Sequence, residues 1–366
     1  MVDKLNIFGN PDTVKATLQG KFIVPPFSVL DARQGYWQRR KRKWLELGLQ
    51  SELGREDSIT YADDDVMNDP QLNYYRKKDK EKRQDKLSPG GSPRPACDYS
   101  NRERGDGRRR PIKKIDGLTF RATGFMAEAM AARGGGTSIF DPVLCELMYK
   151  WFCPDAGKIL DPFAGGSVRG IAANLLGYDY TGIELREEQI VANVEQGHGI
   201  LPDNMPEWIC GNSRDVCGLV DNTKHFDFIF SCPPYYDLEV YSDLKGELSN
   251  YKSYKSFLHH YKIIITQCMS LLKEDRFACF VVSNIRDKKG FYLNFCSDTI
   301  AAFQKAGAYL YNEIILVTAI GSLPIRVGRQ FMNGRKIGKT HQNILVFYKG
   351  DPKNIKKEFP QEIRKE

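Results

Sequence analysis

The sequence predicts an α/β protein organised around a doubly wound, mainly parallel sheet. Three observations carry that expectation. Strand-length apolar runs alternate with helix-length segments from residue 158 onward, a glycine turn separates the first run from the first helix, and an acidic residue closes the second run. Such alternation yields parallel strands covered on both faces, because each crossover must travel back along the sheet before the next strand begins.

Lys158-Ile-Leu-Asp161 reads as the first strand of this block, with a helix over 168–176 behind it. Asp179-Tyr-Thr-Gly-Ile-Glu184 follows as the second strand, 187–196 as the second helix, Trp208-Ile-Cys210 as the third strand and Phe226-Asp-Phe-Ile-Phe-Ser231 as the fourth. The rhythm continues with a helix over 254–272, a strand over 276–283 and a helix over 298–306. Two late strands, 311–317 and 343–348, are separated by a long loop. Upstream, Phe22-Ile-Val-Pro-Pro-Phe-Ser-Val-Leu30 reads as an extended segment broken by prolines, followed by a basic helix over 36–45. Trp37, Trp44 and Leu45 fall at helical spacing, which predicts a face packed on a neighbouring domain. Arg39, Arg40, Lys41, Arg42 and Lys43 take the other face.

Composition sets the outer limits. At 41 % hydrophobic and 27 % charged residues, the 366-residue chain is not a purely unstructured one. No apolar run approaches the ~18–20 residues of a membrane span, and the first ten residues lack the pattern of a secretory leader, so a cytoplasmic protein is expected. Nine cysteines include no C-x-x-C pair, and His259 and His260 diverge from adjacent helical positions, so neither a disulfide framework nor a metal site is expected. The formal charge is +8, and residues 76–114 alone hold 15 Lys/Arg against 6 Asp/Glu, an excess as large as the whole chain's. Glycine, proline and serine punctuate this stretch, which therefore reads as a flexible basic linker, either a solubilising tether or an electrostatic arm. The expected division is a small N-terminal segment of unassigned role (1–55), the linker (56–116), the α/β domain (117–350) and a charged tail (351–366).

The chemistry starts at Asp161-Pro-Phe-Ala-Gly165-Gly166-Ser167, a strand-ending carboxylate before a glycine turn. Glu184 closes the next strand, 23 residues later, at the position from which a carboxylate reaches the hydroxyls of a ribose in doubly wound folds. A G-x-G-x-x-G fingerprint is absent, and an acidic residue at the first turn repels a pyrophosphate, so a cationic nucleoside-type cofactor fits better than a dinucleotide. After the fourth strand comes Ser231-Cys232-Pro233-Pro234-Tyr235-Tyr236, where two prolines stiffen the backbone beside an aromatic able to meet a planar base.

This constellation resembles the amino-group DNA methyltransferases, whose cofactor turn is D-P-F-x-G-x-G and whose catalytic tetrapeptide is Asp, Asn or Ser followed by Pro-Pro-Tyr. The likeness covers roughly residues 133–350, in the gamma-type motif order of the stand-alone enzymes that phages and prophages carry. It implies a seven-stranded Rossmann-like methyltransferase sheet with a late antiparallel strand, S-adenosylmethionine as cofactor and DNA as partner. It implies further that Asp161, Phe163, Gly165 and Gly166 line the methionine end of the cofactor, that Glu184 binds its ribose, and that Asn212, where the family usually has Asp, meets its adenine edge. Phe140, in Thr137-Ser-Ile-Phe-Asp-Pro142, resembles the packing aromatic of an additional cofactor motif.

In that family, oxygen acceptors draw on the hydrogens of the exocyclic amine of adenine or cytosine while the tyrosine stacks on a base flipped from the duplex. Cys232 departs from the pattern, since a neutral thiol is a weak acceptor. Either Cys232 serves as a poor acceptor or thiolate, or Ser231 substitutes for it, or the carbonyl of Cys232 or Pro233 does most of the work. Carbon-5 cytosine methylation by Cys232 ranks lower, because the cysteine precedes the prolines and no Glu-Asn-Val companion is present. An RNA substrate and a noncatalytic cofactor- or DNA-binding module complete the alternatives. For target contact, the basic loop between the last two strands offers Arg326, Arg329, Arg335, Lys336 and Lys339.

Overall fold

The structure, a computed structural model, describes residues 22–49, 140–221, 225–238, 241–321 and 323–359, with the backbone alone at 325 and 326. The basic linker 56–116, residues 137–139 and the last residues of the tail lie outside the described residues. Eight strands form one sheet: β1 (Val29–Asp31), β2 (Lys158–Asp161), β3 (Asp179–Glu184), β4 (Glu207–Cys210), β5 (Phe226–Ser231), β6 (Leu272–Val282), β7 (Tyr309–Val317) and β8 (His341–Lys349). Their spatial order is β1-β7-β8-β6-β5-β2-β3-β4. Only β8 runs against its neighbours, β6 and β7, and the remaining pairs are parallel.

Seven strands were expected, and the eighth is β1. It comes from the N-terminal segment and pairs in parallel with β7, Val29 opposite Ile315 and Asp31 opposite Val317. A three-residue strand behind two prolines offers no periodicity to read, so only the neighbouring edge reveals it. The helix that follows, α1 (Gly35–Glu46), packs on α2 (Pro142–Phe152) through Trp37 and Trp44, both fully buried, one turn pair apart. Their indole N–H groups donate to Asp141 (3.2 Å) and Glu146 (3.1 Å). Arg40 forks onto Glu146 and Lys41 pairs with Asp141 at 3.1 Å, so two cations of the expected basic face are spent on α2. Leu45 is the exception to the predicted face. It is 42 % exposed, because one residue beyond Trp44 the helix has turned ~100° away from the contact.

Both faces of the sheet are covered, and the alternation along the strands supplies each core. Phe228, Phe230, Phe277, Cys279 and Val281 point toward α2 and α3 (Val168–Leu175). Ile229, Ala278, Phe280 and Val282 point the other way, toward α6 (Tyr254–Leu271) and α7 (Phe295–Lys305). β5 is buried along its whole length, as central parallel strands are, and is apolar but for Asp227 and the closing Ser231. Two further helices, α4 (Glu187–Ile200) and α5 (Val216–Leu219), follow β3 and β4. The expected long loop between the last two strands instead holds α8 (Leu323–Gly334), and α9 (Ile355–Glu358) ends the described chain. Among the described residues no helix is long and apolar enough to cross a membrane, and no group of three His, Cys, Asp or Glu could hold a metal ion.

Candidate active site

The sheet reverses its winding between β2 and β5, and a crevice opens outside the carboxyl ends of strands at such a point. Here it is a cavity of about 650 Å³. Its lining brings together Phe140, Phe163, Gly165, Gly166, Glu184 and Asn212 with Cys232, Pro233, Pro234 and Tyr235, residues from five separate stretches of chain. Lys339 lines it as well. Arg329, Arg335 and Lys336 stand outside it, and the side chain of Arg326 lies outside the described residues.

Asp161 does not line the cavity, contrary to the role the resemblance implied. It is fully buried, and its carboxylate accepts four hydrogen bonds: from Arg169 Nε (2.5 Å), the Tyr180 hydroxyl (2.8 Å), Ser231 Oγ (2.6 Å) and the Phe163 amide (3.1 Å). Four acceptor sites are thus filled from within the protein, and the group works as a clamp joining the glycine turn to the end of β5. Arg169 completes the clamp by donating to the carbonyls of Phe163 and Ala164, and its guanidinium lies 4.5 Å over the Phe140 ring. Burial opposes this charge, yet the Asp161 carboxylate outweighs it and holds the arginine above its ordinary range. Arg169 escaped sequence reading. The available signal was one cation in the first turn of a helix whose only other polar side chain is Asn174.

Ser231 donates its hydroxyl to Asp161, and it is the burial of this side chain, away from the cavity lining, that sets it apart from Cys232 as a candidate acceptor. Cys232 does face the cavity, with Sγ 3.6 Å from the Tyr235 hydroxyl. That hydroxyl accepts from Gln342 Nε2 on β8 (3.1 Å) and reaches the Val281 carbonyl at 3.4 Å, while the ring meets Phe295 edge-on at 6.0 Å. Tyr236 then adopts a left-handed conformation, φ 54°, which turns its ring onto Tyr254 and Phe257.

Glu184 does face the cavity, as Asp141 and Glu247 do. One oxygen accepts from the Gly165 amide (2.9 Å) and the other from the Arg186 amide (3.1 Å), and the Arg186 guanidinium pairs with that second oxygen at 3.6 Å. Gly165 can serve this turn because φ there is +51°. Burial raises the Glu184 carboxyl above the ordinary carboxylate range despite these two donors. A polar chain backs the turn: Arg186 donates to Gln189 (2.7 Å), Gln189 to Asn193 (3.0 Å), and Asn193 to the Gly165 carbonyl (2.7 Å). Three polar residues on the inner face of α4 were the sequence signal for it. Asn212 caps the turn that follows β4 by accepting from the Arg214 amide (3.0 Å), and its amide packs so close to Gly246, φ +106°, that any side chain there would collide.

Lys339 and His341 close the far wall. Burial lowers the lysine below its usual range, and burial together with Lys339 lowers the histidine. Lys339 is therefore a half-buried cavity group instead of a member of an exposed loop.

No family model matches the chain, and no curated protein does. Similar solved structures include TrmN from Thermus thermophilus, at 14 % identity over 61 % of this chain with a TM-score of 0.39. The match spans about half of that protein, 52 % of its length. Magnesium protoporphyrin IX methyltransferase from Synechocystis PCC 6803, solved with SAM bound, is 12 % identical over 63 % of this chain and 92 % of its own, with a TM-score of 0.38. A second Thermus thermophilus protein, described as a DNA modification methylase, is 17 % identical over 38 % of this chain and 51 % of its own, with a TM-score of 0.29.

Proposed function

We propose that this protein is an S-adenosylmethionine-dependent methyltransferase acting on the exocyclic amino group of adenine or cytosine in DNA. The observation that carries the reading is one cavity into which both Glu184 and the Cys232-Pro233-Pro234-Tyr235 loop face. The residues present suit a sulfonium nucleoside. Glu184 keeps acceptor capacity for paired ribose hydroxyls, Phe140 and Phe163 supply aromatic walls, and Asn212 lines the same cavity for an adenine edge. When bound, the cofactor supplies a methyl carbon on positively charged sulfur, whose transfer to nitrogen leaves a neutral thioether.

The protein's own part is to ready the amine. Its lone pair is delocalised into the base, and acceptors for its hydrogens localise that pair on nitrogen. With Ser231 buried off the cavity lining and the Cys232 thiol a weak acceptor, the carbonyls of Cys232 and Pro233 carry this role. Tyr235, steadied by Gln342, offers a ring for the base, and the rigid loop makes the reaction chiefly one of proximity. The +9 stretch at 76–114 supports a polyanionic partner.

The test is incubation with labelled S-adenosylmethionine and unmethylated duplex DNA, digestion to nucleosides and mass spectrometry, with Cys232→Ala alongside. N6-methyladenine or N4-methylcytosine is expected, and the variant is expected to retain measurable activity because the carbonyls remain. Label at carbon 5 of cytosine that vanishes in the variant would replace amine chemistry with cysteine attack. Cofactor binding without label on DNA would overturn the DNA assignment.

A further inference from the structure

Ser283, directly after β6, lines the cavity, but the turn 286–292 that follows does not, and the chemistry above leaves it unused. It is a tight hairpin. Asp287 N–H donates to the Phe291 carbonyl (2.8 Å), Gly290 N–H donates to the Asp287 carbonyl (2.9 Å), and Arg286 Nη1 donates to the Gly290 carbonyl (2.8 Å). Gly290 permits it with φ +93°. The hairpin holds Lys288, Lys289, Phe291 and Tyr292 out into solvent, Phe291 at 72 % exposure.

This turn stands against the end of α8. A β-carbon on Gly290 would lie 3.3 Å from Cε of Lys336, so two distant segments make one surface. The helix repeats the chemistry of the turn: the Arg335 guanidinium lies 5.1 Å over the Phe331 ring, as that of Arg286 lies 4.0 Å over Tyr292. Phe331 and Met332 are exposed. Residues 284–293 and 318–341 together hold eight Lys/Arg and a single acid, Asp287, whose carboxylate accepts the Phe291 amide. Thr318, Ala319 and Lys339 join this surface to the cavity wall.

We infer that the surface formed by turn 286–292 and α8 binds a DNA strand whose bases are unpaired beside the target, in preference to a closed duplex. The inference rests on the methyltransferase reading. Interspersed cations track phosphates whatever the sequence, but exposed ring faces gain stacking energy only from bases whose own faces are out of the helix stack. Duplex recognition by cations alone would leave the aromatic residues without a use.

The experiment titrates the full chain into fluorescent oligonucleotides of one sequence, as single-stranded DNA, as duplex DNA and as RNA, at several salt concentrations. Two double variants accompany it, Phe291→Ala with Phe331→Ala, and Lys288→Ala with Lys289→Ala. Single-stranded DNA is expected to bind at least tenfold tighter than duplex. The aromatic variant should lose about tenfold or more for the single strand and keep its duplex affinity. The lysine variant should weaken both and lower the salt slope by about two. Cofactor affinity by calorimetry should stay unchanged in both variants, since none of the four residues lines the cavity, and this also reports an intact fold. Duplex binding as tight as single-strand binding, or indifference to the aromatic substitutions, would overturn the inference, and tighter binding of RNA would overturn its assignment to DNA. If label reaches DNA while all variants bind as wild type, the surface falls and the proposed function stands. If label reaches no nucleic acid, the methyl-transfer reading itself falls and this role goes with it.

Discussion

The β2–β3 end of the cavity and the β6–β8 rim are built in opposite ways. At the first, Asp161 has four donors, both Glu184 oxygens have amide partners, and a polar chain from Arg186 to Asn193 backs the turn. At the second, Lys288, Lys289, Arg329 and Arg335 project beside exposed Phe291, Phe331 and Met332. Preformed hydrogen bonds suit a small molecule that always arrives in the same shape, whereas a surface meeting a polymer of varied sequence keeps its charges and rings exposed until contact. The contrast teaches where substitutions should cost stability and where they should cost only affinity.

The largest break in that contrast is Asp161→Ala. It would strand the buried Arg169 charge and three further donors, and a loss of about 3–5 kcal/mol in urea unfolding is expected. A loss below about 1 kcal/mol would mean the clamp does not hold this end together. Glu184→Gln comes next, with cofactor affinity expected to fall ten- to hundredfold by calorimetry, as for loss of about 1.5–3 kcal/mol of charged hydrogen bonding. Its stability should move the other way. Because burial raises the Glu184 carboxyl, the folded chain holds that proton more tightly than the unfolded chain does. Ionisation therefore costs stability as pH rises from the ordinary carboxylate value through the raised one, and the variant should flatten that decline in pH-dependent unfolding.

Gln342→Ala sharpens the comparison at the Cys232–Tyr235 loop. Releasing the Tyr235 hydroxyl removes about 1 kcal/mol of positioning, so kcat should fall about fivefold with cofactor affinity unchanged. A change in cofactor affinity instead would move Gln342 to the other end of the cavity. Smallest in stability is Arg329→Ala, expected within about 0.5 kcal/mol of wild type in unfolding, with the salt slope of DNA binding shallower by about one. A measurable loss of stability there would show that the rim is packed structure.

Strands β2 to β6 and the helices α3, α4 and α6 between them were legible because they carry strong local patterns: apolar alternation or continuity, glycine turns and 3.6-residue periodicity, whereas the four-residue α5 is too short to show any. Weaker signals misled. Leu45 shares helical spacing with Trp37 and Trp44 but lies one residue off their face, and the glycines and proline around α8 suggested a loop where the chain forms a helix. At the site, residue types and spacing found Glu184, Cys232 and Tyr235, which do line the cavity. They could not separate Asp161 and Ser231 from these, since a carboxylate and a hydroxyl look the same in sequence whether they face a ligand or each other. Arg169, Gln189, Asn193 and Gln342 were missed because their role depends on partners that no motif specifies.

The sequence by itself determined the alternation of strand and helix, the glycine turn after Asp161 and the placement of an acid at the end of the next strand, because each follows from near-neighbour propensity and period. Only the tertiary structure decided which carboxylate faces the cavity. That choice turns on Ser231 reaching Asp161 across 70 residues and on Arg169 entering the space behind the turn. The eighth strand, the anchoring of α1 on Asp141 and Glu146, and the meeting of Gly290 with Lys336 were settled in the same way. Burial and pairing between distant segments arise from packing the whole chain, and local sequence holds no record of them.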